Sequence, residues 1–139
     1  MASIKHFEDL EIWQKARVIN QTLWNWKCHS ELGQDYALWN QINRSAGSLM
    51  DNIAEGFGRD GNKEFIQFLS ISKGSCLELE SQLTRCVDRE YVSENDASAL
   101  KEKLHSIQSG IGALMTYLKK SDFKGSKRNR NKEPDNREL

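Results

Sequence analysis

Proline is nearly absent from this chain of 139 residues: its single copy, Pro134, stands among the last six. No ring therefore interrupts a helix between Met1 and Glu133. The natural punctuation is Gly33, the glycine-rich stretch 56–61 and the cluster Ser93-Glu94-Asn95-Asp96. Cysteine is scarce as well. Cys28, Cys76 and Cys86 are odd in number and show no C-x-x-C spacing, which fits reduced thiols in a reducing compartment and argues against a disulfide framework. Net charge is missing too, with 20 cations against 20 anions. No apolar run approaches the roughly 18 residues that span a bilayer, and the first residues lack the apolar centre of a secretory signal. The expectation is a soluble, cytoplasmic protein of one domain.

What is present is helical periodicity in four segments. In the last, Ala97, Leu100, Leu104, Ile107, Ile111, Leu114 and Leu118 alternate steps of three and four. In the third, Phe65, Phe68, Leu69, Ser72, Cys76, Leu79, Leu83, Cys86 and Val87 share one face. The second carries Leu38, Ile42, Ala46, Leu49, Ile53 and Phe57, with Asp35 placed to cap its start and Gly56-Phe57-Gly58 at its end. The first, from Phe7 to Trp26, has a broader and more aromatic stripe through Leu10, Trp13, Ala16, Ile19 or Asn20, Leu23 and Trp26. Four helices with short connections and no strand signal predict an all-α, antiparallel up-and-down four-helix bundle over residues 1–120, followed by a flexible, partly basic tail over 121–139.

The second and third segments hold more small and polar residues than helix interiors usually do. Glycine in a helix costs about 1 kcal/mol relative to alanine, so Gly47 and Gly74 suggest close approach by another backbone or side chain. Opposite its apolar face the third segment carries Ile66, Ser70, Gly74 and Leu77; the second carries Arg44, Ser48, Asp51, Asn52, Glu55 and Arg59. Each stripe is either a solvated face or a contact with a second subunit. The interface candidates are Ser48, Asn52, Glu55, Ile66, Ser70, Gly74 and Leu77, with Asn52 and Glu55 expected to pair with Arg44, Arg59 or a neighbour.

Enzymatic chemistry finds little support. His6, His29 and His105 are dispersed and no metal-ligand spacing occurs. Gly56-x-Gly58 follows a helix where a dinucleotide loop would follow a strand, and Glu78 and Glu80 sit roughly 160° apart around one helix. The reading is a chain without catalytic residues, metal or cofactor. Trp13, Trp24, Trp26 and Trp39 suit either core and interface packing or base stacking; Trp24 and Trp26 cannot both face one core.

Five motifs in order carry a resemblance: Phe7-x-Asp9-Leu10-x-Ile12-Trp13-x-x-Ala16; Gln41-Ile42-x-Arg44-Ser45-Ala46-x-Ser48; Asn52-Ile53-Ala54-Glu55-Gly56-x-Gly58-Arg59; Phe65-x-x-Phe68-Leu69; and Gly74-Ser75-x-x-Glu78-Leu79-Glu80. Between Phe7 and Leu118 the chain resembles the bacterial four-helix bundle family of 23S rRNA intervening-sequence proteins. The resemblance implies a four-helix bundle that assembles as a ring-like homopentamer; it does not imply an enzyme. The family is similar in fold to the accessory variability protein of diversity-generating retroelements, a basic pentamer that works with a reverse transcriptase and its template RNA. That likeness implies association with RNA, DNA or a ribonucleoprotein. The alternative is a structural or protein-interaction scaffold that binds no nucleic acid.

The bundle here is less basic than the retroelement protein, with 14 cations against 16 anions outside the tail. Residues 124–132 hold Lys124, Lys127, Arg128, Arg130 and Lys132 without an acid. Such a tail is either a solvated terminus or a phosphate-contacting arm, with Arg44 and Arg59 as further phosphate candidates.

Overall fold

The structure, a computed structural model, describes residues 4–131, and the side chains through residue 121. Four helices make up the described residues: α1 (Glu11–His29), α2 (Tyr36–Phe57), α3 (Asn62–Asp88) and α4 (Glu94–Asn131), with single 3-10 turns at Phe7–Asp9 and Glu31–Gln34 and no strand among them. Each helix packs on two neighbours in the cyclic order α1, α2, α3, α4. Cross-helix contacts fix their directions. Asn20 of α1 reaches the Ala46 carbonyl while Trp24 meets Trp39; Gln82 of α3 reaches Ser45 while Ser72 reaches Leu49; Lys101 of α4 reaches Thr84 while Gln108 reaches Glu80. Rising numbers on one helix meet falling numbers on the next, so neighbours run antiparallel.

The apolar stripes predicted for α2, α3 and α4 form the core. Leu38, Ile42, Ala46, Leu49, Ile53, Leu69, Cys76, Leu79, Leu83, Cys86, Leu100, Leu104, Ile107 and Ile111 are buried together, and Phe57, Phe65 and Leu114 pack against them half-buried. In α1 the predicted stripe holds: Leu10, Ala16, Ile19 and Leu23 are buried and Trp26 packs half-buried against the core, with Ile12 added to it. Ile12 is buried and Trp13 is half-buried, its ring edge-on to Phe7 at 5.1 Å. The isoleucine fits the narrow space against α4, where a Cβ on Gly110 would lie 2.6 Å from Ile12 Cγ2.

The helix ends follow local chemistry. Asp35 Oδ1 accepts from the Leu38 amide at 3.2 Å and caps α2 as predicted, and Ser93 Oγ accepts from the Asp96 amide at 3.0 Å to start α4. At the end of α3 the Tyr91 amide donates to the Cys86 carbonyl and the Glu90 amide to the Val87 carbonyl, each at 2.9 Å. This is a Schellman cap, with Glu90 at φ 61° in the left-handed position that glycine usually fills. Helix α4 continues past residue 120, the bundle boundary set from sequence, to Asn131. Among the described side chains, Leu118 is its last core residue.

Candidate functional site

The seam between α2 and α3 is lined by hydroxyls. Ser75 Oγ donates to Ser48 Oγ at 2.8 Å, and Asn52 Nδ2 donates to the Ser48 carbonyl at 2.8 Å and to its hydroxyl at 3.1 Å. One layer deeper, the fully buried Ser72 donates to the Leu49 carbonyl at 3.0 Å. Two turns along, Gln82 donates to Ser45 at 3.0 Å and Ser45 to Glu78 at 3.3 Å. Small side chains let the two helix backbones approach, and each hydroxyl finds a partner within the chain. Ser48 and Asn52 therefore sit half-buried in an internal seam. Glu55 forms an ion pair with Arg59 at 2.8 Å one turn away, and that guanidinium also lies 4.9 Å from the Phe68 ring. Arg44 is exposed and pairs with no carboxylate of the described residues.

The two glycines singled out in the sequence are not close contacts inside the chain. A Cβ on Gly74 would meet nothing within 4 Å, and one on Gly47 would meet only Asp51 of its own helix at 3.9 Å. The close approach within α2 falls at Gly56, which the sequence marks only as a helix end. A Cβ there would lie 2.7 Å from Phe68 Cβ and 2.9 Å from Phe65 Cδ1. Gly74 instead lies on the outer side of α3, beside Leu77 at 55% and Ile71 at 50% exposure, with Ser70 exposed and Ile66 half-buried. Ile71 escapes a reading based on the stripe opposite the core, because it lies on the flank of that stripe.

Of the basic candidates, Lys124, Lys127, Arg128 and Arg130 fall on the backbone of α4 and their side chains lie outside the described ones; Lys132 lies outside the described residues altogether. The tryptophans separate. Trp39 is buried, Trp13 and Trp26 are half-buried against the core, and Trp24 is exposed.

Two polar clusters were not visible in the sequence. Asp35 Oδ2 accepts from Arg89 at 2.6 Å and from the Tyr91 hydroxyl at 2.7 Å, tying the start of α2 to the end of α3. The Tyr91 hydrogen bond, the Leu38 amide and Arg89 hold the Asp35 carboxyl below its ordinary range, and the same hydrogen bond to Asp35 raises the Tyr91 phenol. Between α3 and α4, Glu80 contacts His105 and accepts from Gln108 at 3.1 Å. Burial pushes the Cys76 thiol up to about 12 and the Cys86 thiol to about 11, so neither is a nucleophile at neutral pH. Among the described residues no three His, Cys, Asp or Glu side chains group as metal ligands, and no helix is long and apolar enough to cross a membrane.

The family model of the 23S rRNA-intervening sequence protein matches residues 8–113. The chain belongs to this family. None of the curated proteins matches its sequence. Among solved structures, the intervening-sequence protein is similar to a protein of unknown function from the S23 ribosomal protein family of Bacteroides thetaiotaomicron VPI-5482. The TM-score is 0.69 at 20% identity, over 75% of this chain and 97% of that one. At that identity the likeness concerns the fold: a bundle with the same helix arrangement.

Proposed function

We propose that this intervening-sequence protein is a non-enzymatic, cytoplasmic adaptor that assembles with itself, as a ring-like homopentamer by the resemblance noted above, and associates with RNA or a ribonucleoprotein. An accessory role beside a reverse transcriptase is one form of this activity. The observation that carries the reading is the outer side of α3, where Ile71 and Leu77 are half-exposed beside a glycine with open space over it. Glycine costs about 1 kcal/mol relative to alanine in a helix, and no described residue of the chain comes close enough to this one to require it. Ser70 is exposed on the same side, whereas Ile66 packs half-buried against the core and Ser48 and Asn52 lie in the adjoining α2–α3 seam. In a ring each copy presents two different patches, and such heterologous contacts close by rotation.

The nucleic-acid half of the reading draws on the family's rRNA connection and on Lys124, Lys127, Arg128, Arg130 and Lys132. Arg44 adds to these, whereas Arg59 is already matched by Glu55. Five phosphate contacts per chain give a slope of about −3.5 to −4.5 in log affinity against log salt, and several copies in one assembly act together. The paired Arg59 and the balanced charge of the bundle favour a second reading, a protein scaffold without nucleic acid. Titration of the full chain with structured RNA at several salt concentrations decides between them. Salt-dependent binding that weakens when the five cations are replaced by glutamine supports the adaptor; no binding at low salt supports the scaffold.

A further inference from the structure

Outside the faces discussed above, α1 and the first half of α2 share an unusual charge pattern. In a chain with equal numbers of acids and bases, residues 12–30 and 36–50 contain no aspartate or glutamate, while α1 carries Lys15, Arg17 and Lys27. Arg17 and Lys27 make no ion pair among the described residues, and they flank Trp24 on one side of the helix. Positions 17 and 24 differ by about 20° around the axis, and position 27 by about 60° on the other side. Trp24 is 56% exposed, a large apolar surface to leave in water. It is also held in place. Its ring leans on the buried Trp39 at 6.2 Å between centroids and 59° between planes, and the Lys27 ammonium sits 4.7 Å from its ring centre.

We infer that the α1–α2 face is a binding platform for single-stranded RNA, in which the Trp24 indole stacks on an unpaired base and Arg17 and Lys27 meet the phosphates on either side. An exposed aromatic ring with one cation over it, a second cation two turns away on nearly the same bearing and no acid on either helix nearby joins the two elements that single-strand binders use. A duplex offers its base faces only to its own stack, so an indole on a helix surface selects unpaired bases. The inference rests on the RNA association proposed above and adds a site within the bundle to the basic end of α4.

The test uses the full chain, a fluorescein-labelled single-stranded oligouridylate and the same strand paired with oligoadenylate, read by anisotropy and by quenching of tryptophan emission. The single strand is expected to bind more tightly than the duplex and to quench part of the emission. Trp24→Ala should weaken single-strand binding about fivefold or more and remove the quenching, while Trp24→Phe keeps most of the affinity. Arg17→Gln and Lys27→Gln should each reduce the salt slope by about 0.7. RNA binding by the natural chain that Trp24→Ala leaves unchanged would overturn the platform and leave the adaptor standing. Absence of any RNA binding would overturn both. A fall in solution mass on Trp24→Ala, with RNA affinity unaltered, would make this face a protein contact and overturn the platform as well.

Discussion

The hydroxyls of Ser75 and Ser48 lie 2.8 Å apart across the α2–α3 seam. That contact accounts for the serines found where helix interiors usually carry larger apolar groups: they bring two helices close and satisfy one another. Ser75 is 4% exposed, so a larger side chain has nowhere to go. Ser75→Leu is expected to lower stability by about 1–3 kcal/mol through overpacking, and Ser75→Ala by about 1 kcal/mol through the lost hydrogen bond. Urea unfolding of the two variants, with unchanged dependence on denaturant, checks both values.

Gly56 and Gly74 should respond in opposite ways to alanine. At Gly56 the new methyl meets Phe68 and Phe65 below 3 Å, and a loss of about 1–3 kcal/mol is expected despite the gain in helix propensity. At Gly74 the chain offers no obstacle, so in a lone subunit alanine adds about 1 kcal/mol. If a second copy covers the face, the same methyl meets the neighbour and weakens assembly. Thermal melts combined with sedimentation at several concentrations separate the two effects, and the account expects weaker assembly.

Glu90 occupies the left-handed position of the α3 cap at φ 61°. A residue with a Cβ pays roughly 1–2 kcal/mol in that region, part of which glycine returns to the unfolded chain as entropy. Glu90→Gly is expected to raise stability by about 0.5–1 kcal/mol, seen as a higher melting temperature with the same helix content by circular dichroism.

The Asp35 cluster makes the fold sensitive to acid. Its folded-state carboxyl titrates below the ordinary value because Tyr91, the Leu38 amide and Arg89 favour the charged form. The unfolded chain therefore takes up the proton first as pH drops. The contribution is complete above the ordinary carboxylate value of about 4 and is lost as pH falls from there through the lowered native value. Asp35→Asn should unfold more readily at neutral pH and flatten the stability profile in that acid window, measured by urea melts across the pH range.

Much of the fold was legible because its cause is periodic. The stripes of α2, α3 and α4 recur every three or four residues, and the Asp35 cap is local, so both can be read along the chain. In α1 the stripe was legible except at Ile12, which is buried beside Gly110 of α4, a long-range approach that no local period announces. The Asp35–Arg89–Tyr91 cluster joins residues 54 and 56 positions apart, which no local pattern announces. Gly74 stood out in the sequence through the cost of glycine in a helix, yet a Cβ there would meet no described atom of the chain within 4 Å. Trp24 was one of four tryptophans until packing buried Trp39 beneath it and left it at the surface.

Self-assembly through the outer side of α3 is tested most directly by light-scattering mass of the full chain and of Leu77→Asp, which places a charge where a half-exposed leucine stands. The account predicts a natural assembly near five times the 16.0 kDa chain mass, and a lower mass for the variant with its helix content intact. A natural chain that stays at 16.0 kDa across the accessible concentration range would contradict it.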